Sequence, residues 1–376
     1  MSKRRPRLSD LLDRSEGVVP LTPNYVRRLY ADGGRLGLSK TAGGTFNART
    51  QLWLSERWIA SSVTAVNPHP IKGEGYSWLQ GRVKMTLKDA IVAEPQRMVG
   101  PRICARHGAE FRVLTKILDG RDPIIYHVHA GDSHLKRYPR SFRGHRFGKS
   151  EAYYFLEVDK GADPMLHVGM YPGVTQKELV TAIAKGHDYV MELSPPFMQR
   201  FNEGFFIPAG MPHRPGTALT LEVQQPSDVY TLLESEFCGM RVGKKGHPGF
   251  PTLRSALKVV DFKLAQQRNL EQRYALQPRA VGTRNQRGGQ EHWIFPPSVT
   301  EKFSGKRLRV SRRFLSRESS PYALLIWRGR GKINGKSVRA GDEFFVSFEA
   351  ATQVHEFQAT EEGLLEVFKI FPAAKP

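Results

Sequence analysis

The sequence predicts an all-β dominated fold of two β-rich units with a few short helices. Three observations carry that prediction. The 376 residues include 35 glycines and 25 prolines, a composition that favours short strands and frequent turns over long helices. Strand-like runs recur from residue 111 to 233 and again from Trp293 to Phe371. Between them, residues 241–290 are rich in Gly, Arg, Lys and Gln and interrupt the pattern. Hydrophobic residues make up 40% of the chain, enough for packed cores, which excludes wholesale disorder.

Residues 1–50 read as a basic arm, with Lys3, Arg4, Arg5 and Arg7 ahead of a short helical candidate, Leu8 to Asp13. Ser55 to Val66 is aromatic and β-branched enough for a strand, and Thr86 to Val99 is the first plausible longer helix. Phe111 to Leu118 and Pro123 to His129 read as strands joined by Asp119-Gly120, a hairpin-type turn. Glu151 to Val158, Met165 to Tyr171, Gly204 to Pro208, Ala218 to Val223 and Val229 to Leu233 continue the β character. Thr175 and Glu178 form a capping box that opens one short helix, closed by Gly186. Residues 241–290 predict a connection, helical only around Arg254 to Leu264. In the last unit, Asn334-Gly335 marks a hairpin, followed by a strand from Glu343 to Phe348.

Lys and Arg total 57 against 36 Asp and Glu, a net charge of +21. Such a surplus suits nucleic acid or an anionic small molecule. Its only candidate nucleic-acid face is Lys306 to Arg313, where aromatic residues are sparse and no recognised motif occurs, so nucleic acid is the weakest expectation. Two cysteines, Cys104 and Cys238, cannot build a disulfide framework or a cysteine-rich zinc site. No apolar run approaches the ~18 residues of a membrane span, and the basic N-terminus lacks the apolar segment of a secretory signal. The expectation is a soluble cytoplasmic protein, monomer or homodimer, without a membrane partner.

Histidine placement carries the chemistry. His127 and His129 sit one residue apart in a strand-like run, so both imidazoles project from one face. Glu151 opens the next aromatic strand, and His213 follows the turn Pro208-Ala209-Gly210-Met211-Pro212. Three imidazoles and a carboxylate suit a divalent metal, Zn²⁺ first, with Fe²⁺, Mn²⁺ or Ni²⁺ as alternatives.

H-x-H, a later Glu and a later His on small antiparallel strands resemble a cupin, a double-sheet jelly roll. More narrowly, five segments resemble type I mannose-6-phosphate isomerases, in order: Ser55-Glu56-Arg57-Trp58, Phe111 to His129, Gly148 to Tyr154, Phe206 to His213 and Leu221 to Asp228. The resemblance implies a metal-binding catalytic cupin domain over 51–240 and a second, cupin-like β domain over 291–376. It implies an aldose–ketose isomerase acting on a sugar phosphate, mannose 6-phosphate, through a metal-stabilised enediolate, with His127, His129, Glu151 and His213 as metal ligands. Glu222 is the implied acid–base group, which its place on an alternating strand also suits. Lys149 joins it at the reacting centre. Lys136, Lys149 and Arg140, in a loop with six Lys or Arg residues between His129 and Glu151, form the expected cradle for the substrate phosphate.

The chain departs from the family in three places. His127 stands where a Gln is usual, and an imidazole remains a competent ligand. The segment after His129, Ala130-Gly131-Asp132, lacks the family's proline. Thr231 falls where the family carries an arginine thought to be catalytic, leaving Arg214, and beyond it Arg241 or Lys244, to supply the cation. That last departure supports an alternative: a metal cupin that binds a sugar or anion without turnover.

Overall fold

In the computed structural model, residues 7–38, 45–67, 69–159, 163–237, 240–247, 249–282, 287–360 and 363–373 are described. Lys3, Arg4, Arg5 and Cys238 lie outside them. Two facing sheets build the first β unit. The larger runs in the order Ala275–Leu276, Gly204–Ile207, Glu151–Glu157, Leu219–Gln224, Leu114–Leu118, Leu52–Ile59 and Asn24–Arg28. The smaller has five strands: Pro196–Met198, Met165–Val168, His213–Arg214, His127–Val128 and Thr231–Leu232. All the pairings are antiparallel, as a double-sheet jelly roll requires.

The second β unit repeats the two-sheet plan. Gly289–Phe295, Phe303–Val310, Leu365–Pro372, Tyr322–Arg328 and Glu343–Val346 form its larger sheet, and four strands between Arg313 and Ala359 form the other. Asn334 and Gly335 both take positive φ, 50° and 77°, the conformation of a type I′ hairpin between Arg330–Ile333 and Lys336–Arg339.

The region read as an arm is woven into both units. Val18–Thr22 pairs with Glu343–Val346, and Asn24–Arg28 pairs with Leu52–Ile59. The partner of Val18 is Val346, so no local pattern announces the pairing. The Asp119-Gly120 hairpin is also corrected, because Leu114–Leu118 and His127–Val128 lie in different sheets. Asp119 instead accepts hydrogen bonds from the Arg35 and Leu36 backbones and the Arg35 guanidinium, and so anchors the N-terminal segment. Residues 253–274 are more helical than expected. The helices Leu253–Ala256, Phe262–Ala265 and Leu270–Tyr274 bury Ala256, Ala265 and Leu270 against the first unit's core, and the 3-10 turn Leu257–Val259 adds Leu257 and Val259. The capping-box helix runs Gln176–Lys185, with Thr175 accepting from Glu178 N.

Candidate metal centre and active-site pocket

Cross-strand register explains how the site assembles. On the larger sheet of the first unit, Trp58 lies opposite Lys116, Lys116 opposite Glu222, and Glu222 opposite Tyr153. Residues directly opposite one another project from the same face, so this row points together into the space between the sheets. Glu151 is two residues before Tyr153 and shares that face. The smaller sheet supplies His127 and His213, which are themselves cross-strand partners, and His129 follows on the same segment. The ligand-capable atoms of His127, His129, Glu151 and His213 all lie within 4.8 Å of one another, and all four residues are buried.

Hydrogen bonds fix the imidazoles for coordination. Nδ1 of His127 faces Ile125 O at 2.6 Å, that of His129 faces Val229 O at 2.7 Å, and that of His213 faces Met211 O at 2.9 Å. A carbonyl only accepts, so each Nδ1 carries a hydrogen, which in the neutral ring leaves each Nε2 its lone pair. Those of His129 and His213 point at Glu151, 3.4 Å from Oε2 and 2.8 Å from Oε1. Burial, reinforced by neighbouring imidazoles or Lys149, pushes His127 well below its ordinary value and His129 down to about 3, so both rings are neutral. His129 Nε2 and His213 Nε2 are buried with no hydrogen-bond partner and converge on the Glu151 carboxylate. Unpartnered imidazole nitrogens gathered on a carboxylate are a donor set for a divalent ion. The residues fit the metal. Tyr153 Oη donates to Glu151 Oε1 at 2.5 Å and fixes its orientation.

A cavity of about 300 Å³ opens beside the ligands. His127, His129, Lys116, Lys149, Tyr153, Glu222 and Asp228 line its polar side, and Leu118, Ile124, Ile125, Pro215, Val229 and Leu232 its apolar wall. Lys149 Nζ lies 3.0 Å from Glu151 Oε2 and 3.2 Å from Glu222 Oε1. Burial opposes its charge, but Glu151, Glu222 and Asp228 outweigh burial and raise its pKa, so the ammonium persists. Glu222 goes the other way. Burial and the adjacent Glu151 carboxylate outweigh Lys116 and Lys149 and push its carboxyl up to about 7.

The expected site residues divide. His127, His129, Glu151, His213, Lys149 and Glu222 come together. Arg214 does not join them: on strand His213–Arg214 it alternates away from His213 and bonds Asp163 at 3.4 Å, outside the pocket lining. Lys136 and Arg140 are solvent-exposed and also outside the lining. Thr231 is buried away from the pocket, and Leu232, the next residue on its strand, lines the wall instead. Arg241 lines the mouth, exposed and with no ion pair among the described residues. Lys244's side chain lies outside the description.

Sequence reasoning missed an inner ring of charge. Arg28 Nη2 donates to both oxygens of Asp228 at 3.0 Å, its Nε lies 2.9 Å from Glu56, and Lys116 Nζ is 3.2 Å from Asp228 Oδ1. Lys116 was detectable as the single charge within an otherwise uncharged strand, Leu114–Leu118. Arg28 was not, because its place depends on a strand pairing that its own neighbourhood does not signal.

No family model matches the chain. Mannose-6-phosphate isomerase ManA from Bacillus subtilis (strain 168) is 31% identical over 122 residues, which are 32% of this chain and 36% of that relative. The chain is thus matched to about a third of the curated relative's length. The crystal structure of a mannose 6-phosphate isomerase from Bacillus subtilis superposes with a TM-score of 0.69 over 94% of this chain and 99% of that one, at 16% identity. A putative mannosephosphate isomerase from Archaeoglobus fulgidus gives 0.68, with 95% and 98% covered at 13% identity. A mutant phosphomannose isomerase from Salmonella typhimurium gives 0.64, with 95% and 100% covered at 14% identity. The chain has the mannose-6-phosphate isomerase fold. The ligand cluster lies in the first of the chain's two β units.

Proposed function

We propose that the chain is a metal-dependent aldose–ketose isomerase of a sugar phosphate, with mannose 6-phosphate and fructose 6-phosphate as the interconverted pair. One observation carries the reading: the buried carboxyl of Glu222 lines the same cavity as His127 and His129 of a converging His₃Glu set. The likeness to mannose-6-phosphate isomerases in fold and in 122 aligned residues supports the substrate class. A divalent ion, Zn²⁺ first, held by His127, His129, Glu151 and His213 would act as a Lewis acid toward substrate oxygens.

The chain's own residues supply the rest. Isomerisation of aldose to ketose moves one proton from C2 to C1 of the sugar and the hydroxyl proton from O2 to O1, and the reverse reaction moves both back. The carboxylate form of Glu222 takes the carbon-bound proton from one carbon, and the carboxylic acid returns it to the neighbour. A pKa near the working pH makes both forms accessible. Lys149, held as an ammonium 3.2 Å from Glu222 Oε1, stabilises the negative charge that develops on the enediolate. The apolar wall excludes water and strengthens that interaction. Arg241 at the mouth is the cation placed to receive the phosphate.

Leu232 on the wall favours a second reading, a metal cupin that binds a sugar phosphate without turnover. The test is an assay of metal-replete protein with mannose 6-phosphate. Conversion should vanish in His129→Ala and Glu151→Ala. Stoichiometric metal with no turnover of any hexose or pentose phosphate selects the second reading.

A further inference from the structure

A second cavity, of about 540 Å³, lies between helix Pro101–His107 and the larger sheet of the C-terminal unit. It shares no lining residue with the metal pocket. Trp293, Phe348 and Phe371 give it aromatic walls, with Val99 and Ile103 adding apolar surface. Its volume falls in the range of small-molecule sites.

The charges around it do not cancel. Glu318 borders the cavity but is neutralised, its Oε2 2.8 Å from Lys306 Nζ and its Oε1 3.2 Å from Lys369 Nζ. The same two lysines pair with Glu291, at 3.3 and 2.7 Å, so these four groups sum to zero. Arg102 and Arg106 remain. They stand four residues apart on the helix, hence on one face, and neither makes a hydrogen bond or ion pair among the described residues. Like charges so placed destabilise a helix unless an anion lies between them. Ser304, 2% exposed, also lines the cavity and offers a hydroxyl there.

We propose that this cavity is a second ligand site, taking a small anion with a flat apolar body. The body lies against Trp293 and Phe371, and the phosphate or carboxylate is held by Arg102 and Arg106. A mononucleotide and an aryl carboxylate share that chemistry.

Isothermal titration calorimetry on the full, metal-loaded chain tests it, with adenosine monophosphate and indole-3-acetate as two-ended probes and adenosine and inorganic phosphate as one-ended controls. At least one two-ended probe should bind with a Kd below about 1 mM, and each of its one-ended controls about tenfold more weakly. Which probe binds identifies the head group. The double variant R102A/R106A, altered only at exposed positions, should weaken binding about tenfold or more. W293F should weaken it while leaving the phosphate control unchanged. Glu151→Ala should leave it unaltered. Failure of both two-ended probes to bind overturns the proposal. So does binding that survives R102A/R106A but is lost with Glu151→Ala, since the probe would then occupy the metal pocket.

Discussion

Glu222 and Glu56 lie in one sheet on strands separated by Leu114–Leu118, both buried, and are driven in opposite directions. Glu222 has Glu151 beside it and is raised to about 7, whereas burial of Glu56 is overcome by Arg28 and Lys116, which bring it down to about 2. The first is therefore able to exchange a proton near neutrality and the second is a fixed anion. Glu222→Gln should lower turnover by about 10²–10⁴-fold while metal content, read by elemental analysis, stays at the wild-type value. Loss of the metal together with activity would make Glu222 a structural group. For Glu56 the folded value lies below the ordinary 4.5. Its contribution is thus complete above pH 4.5 and is lost as the pH falls toward 2, on the order of 3 kcal/mol in all. Denaturant unfolding across that window should show a flatter pH dependence in Glu56→Gln than in the parent. Equal slopes would contradict the assigned ion pairs.

At the scale of elements, the strand Leu52–Ile59 is the joint between the two units. Its Glu56 faces the pocket, while Arg57, on the opposite face, lies 2.8 Å from Glu343 Oε2 at the start of strand Glu343–Val346. Both partners are buried, so removing one strands the other. Arg57→Ala should cost about 3–5 kcal/mol near pH 8. Burial already pushes Glu343 up to about 7 against the pull of Arg57, so the lone carboxyl should take a proton and the cost should shrink by pH 5. Unfolding at the two pH values checks this, and an equal loss at both would contradict it. Elements of this kind were legible where the signal is local. The Thr175–Glu178 capping box, the Asn334-Gly335 hairpin and the strand opening at Glu151 all follow from adjacent residues. The pairing of Val18 with Val346 and the separation of Leu114–Leu118 from His127–Val128 depend on contacts far apart in sequence. A turn dipeptide at Asp119-Gly120 could not reveal that its flanking strands enter different sheets.

For the whole molecule, charge and cooperativity are linked. The basic run from Lys306 to Arg313 reads from sequence as a candidate nucleic-acid face, yet Lys306 pairs with Glu291 and Glu318 and Arg307 bonds Tyr154 and Asn202 across the two units. Lys306 and Arg307 are thus buried within the fold, so this run does not present a continuous basic face to nucleic acid. One core cluster joins Leu12, Ile117, Tyr154 and Leu221 to Phe295, Phe303, Phe345 and Phe368, spanning both β units. Thermal unfolding should accordingly be a single transition, and two resolved transitions would contradict this continuity. The four metal-ligand candidates were readable from residue type, strand alternation and a turn, and Glu222 from the family resemblance together with its place on an alternating strand. The ring of Arg28, Glu56, Lys116 and Asp228 was not, since it exists only once four distant segments meet.

The central claim is that the His₃Glu centre and Glu222 together isomerise a sugar phosphate. Its most direct test is to add a divalent metal stepwise to metal-free protein and follow mannose 6-phosphate by NMR. Fructose 6-phosphate should form at a rate that rises with bound metal and levels off at one ion per chain, and Glu222→Gln should bind that ion without forming product. One ion bound per chain with no interconversion in the parent protein would contradict the claim.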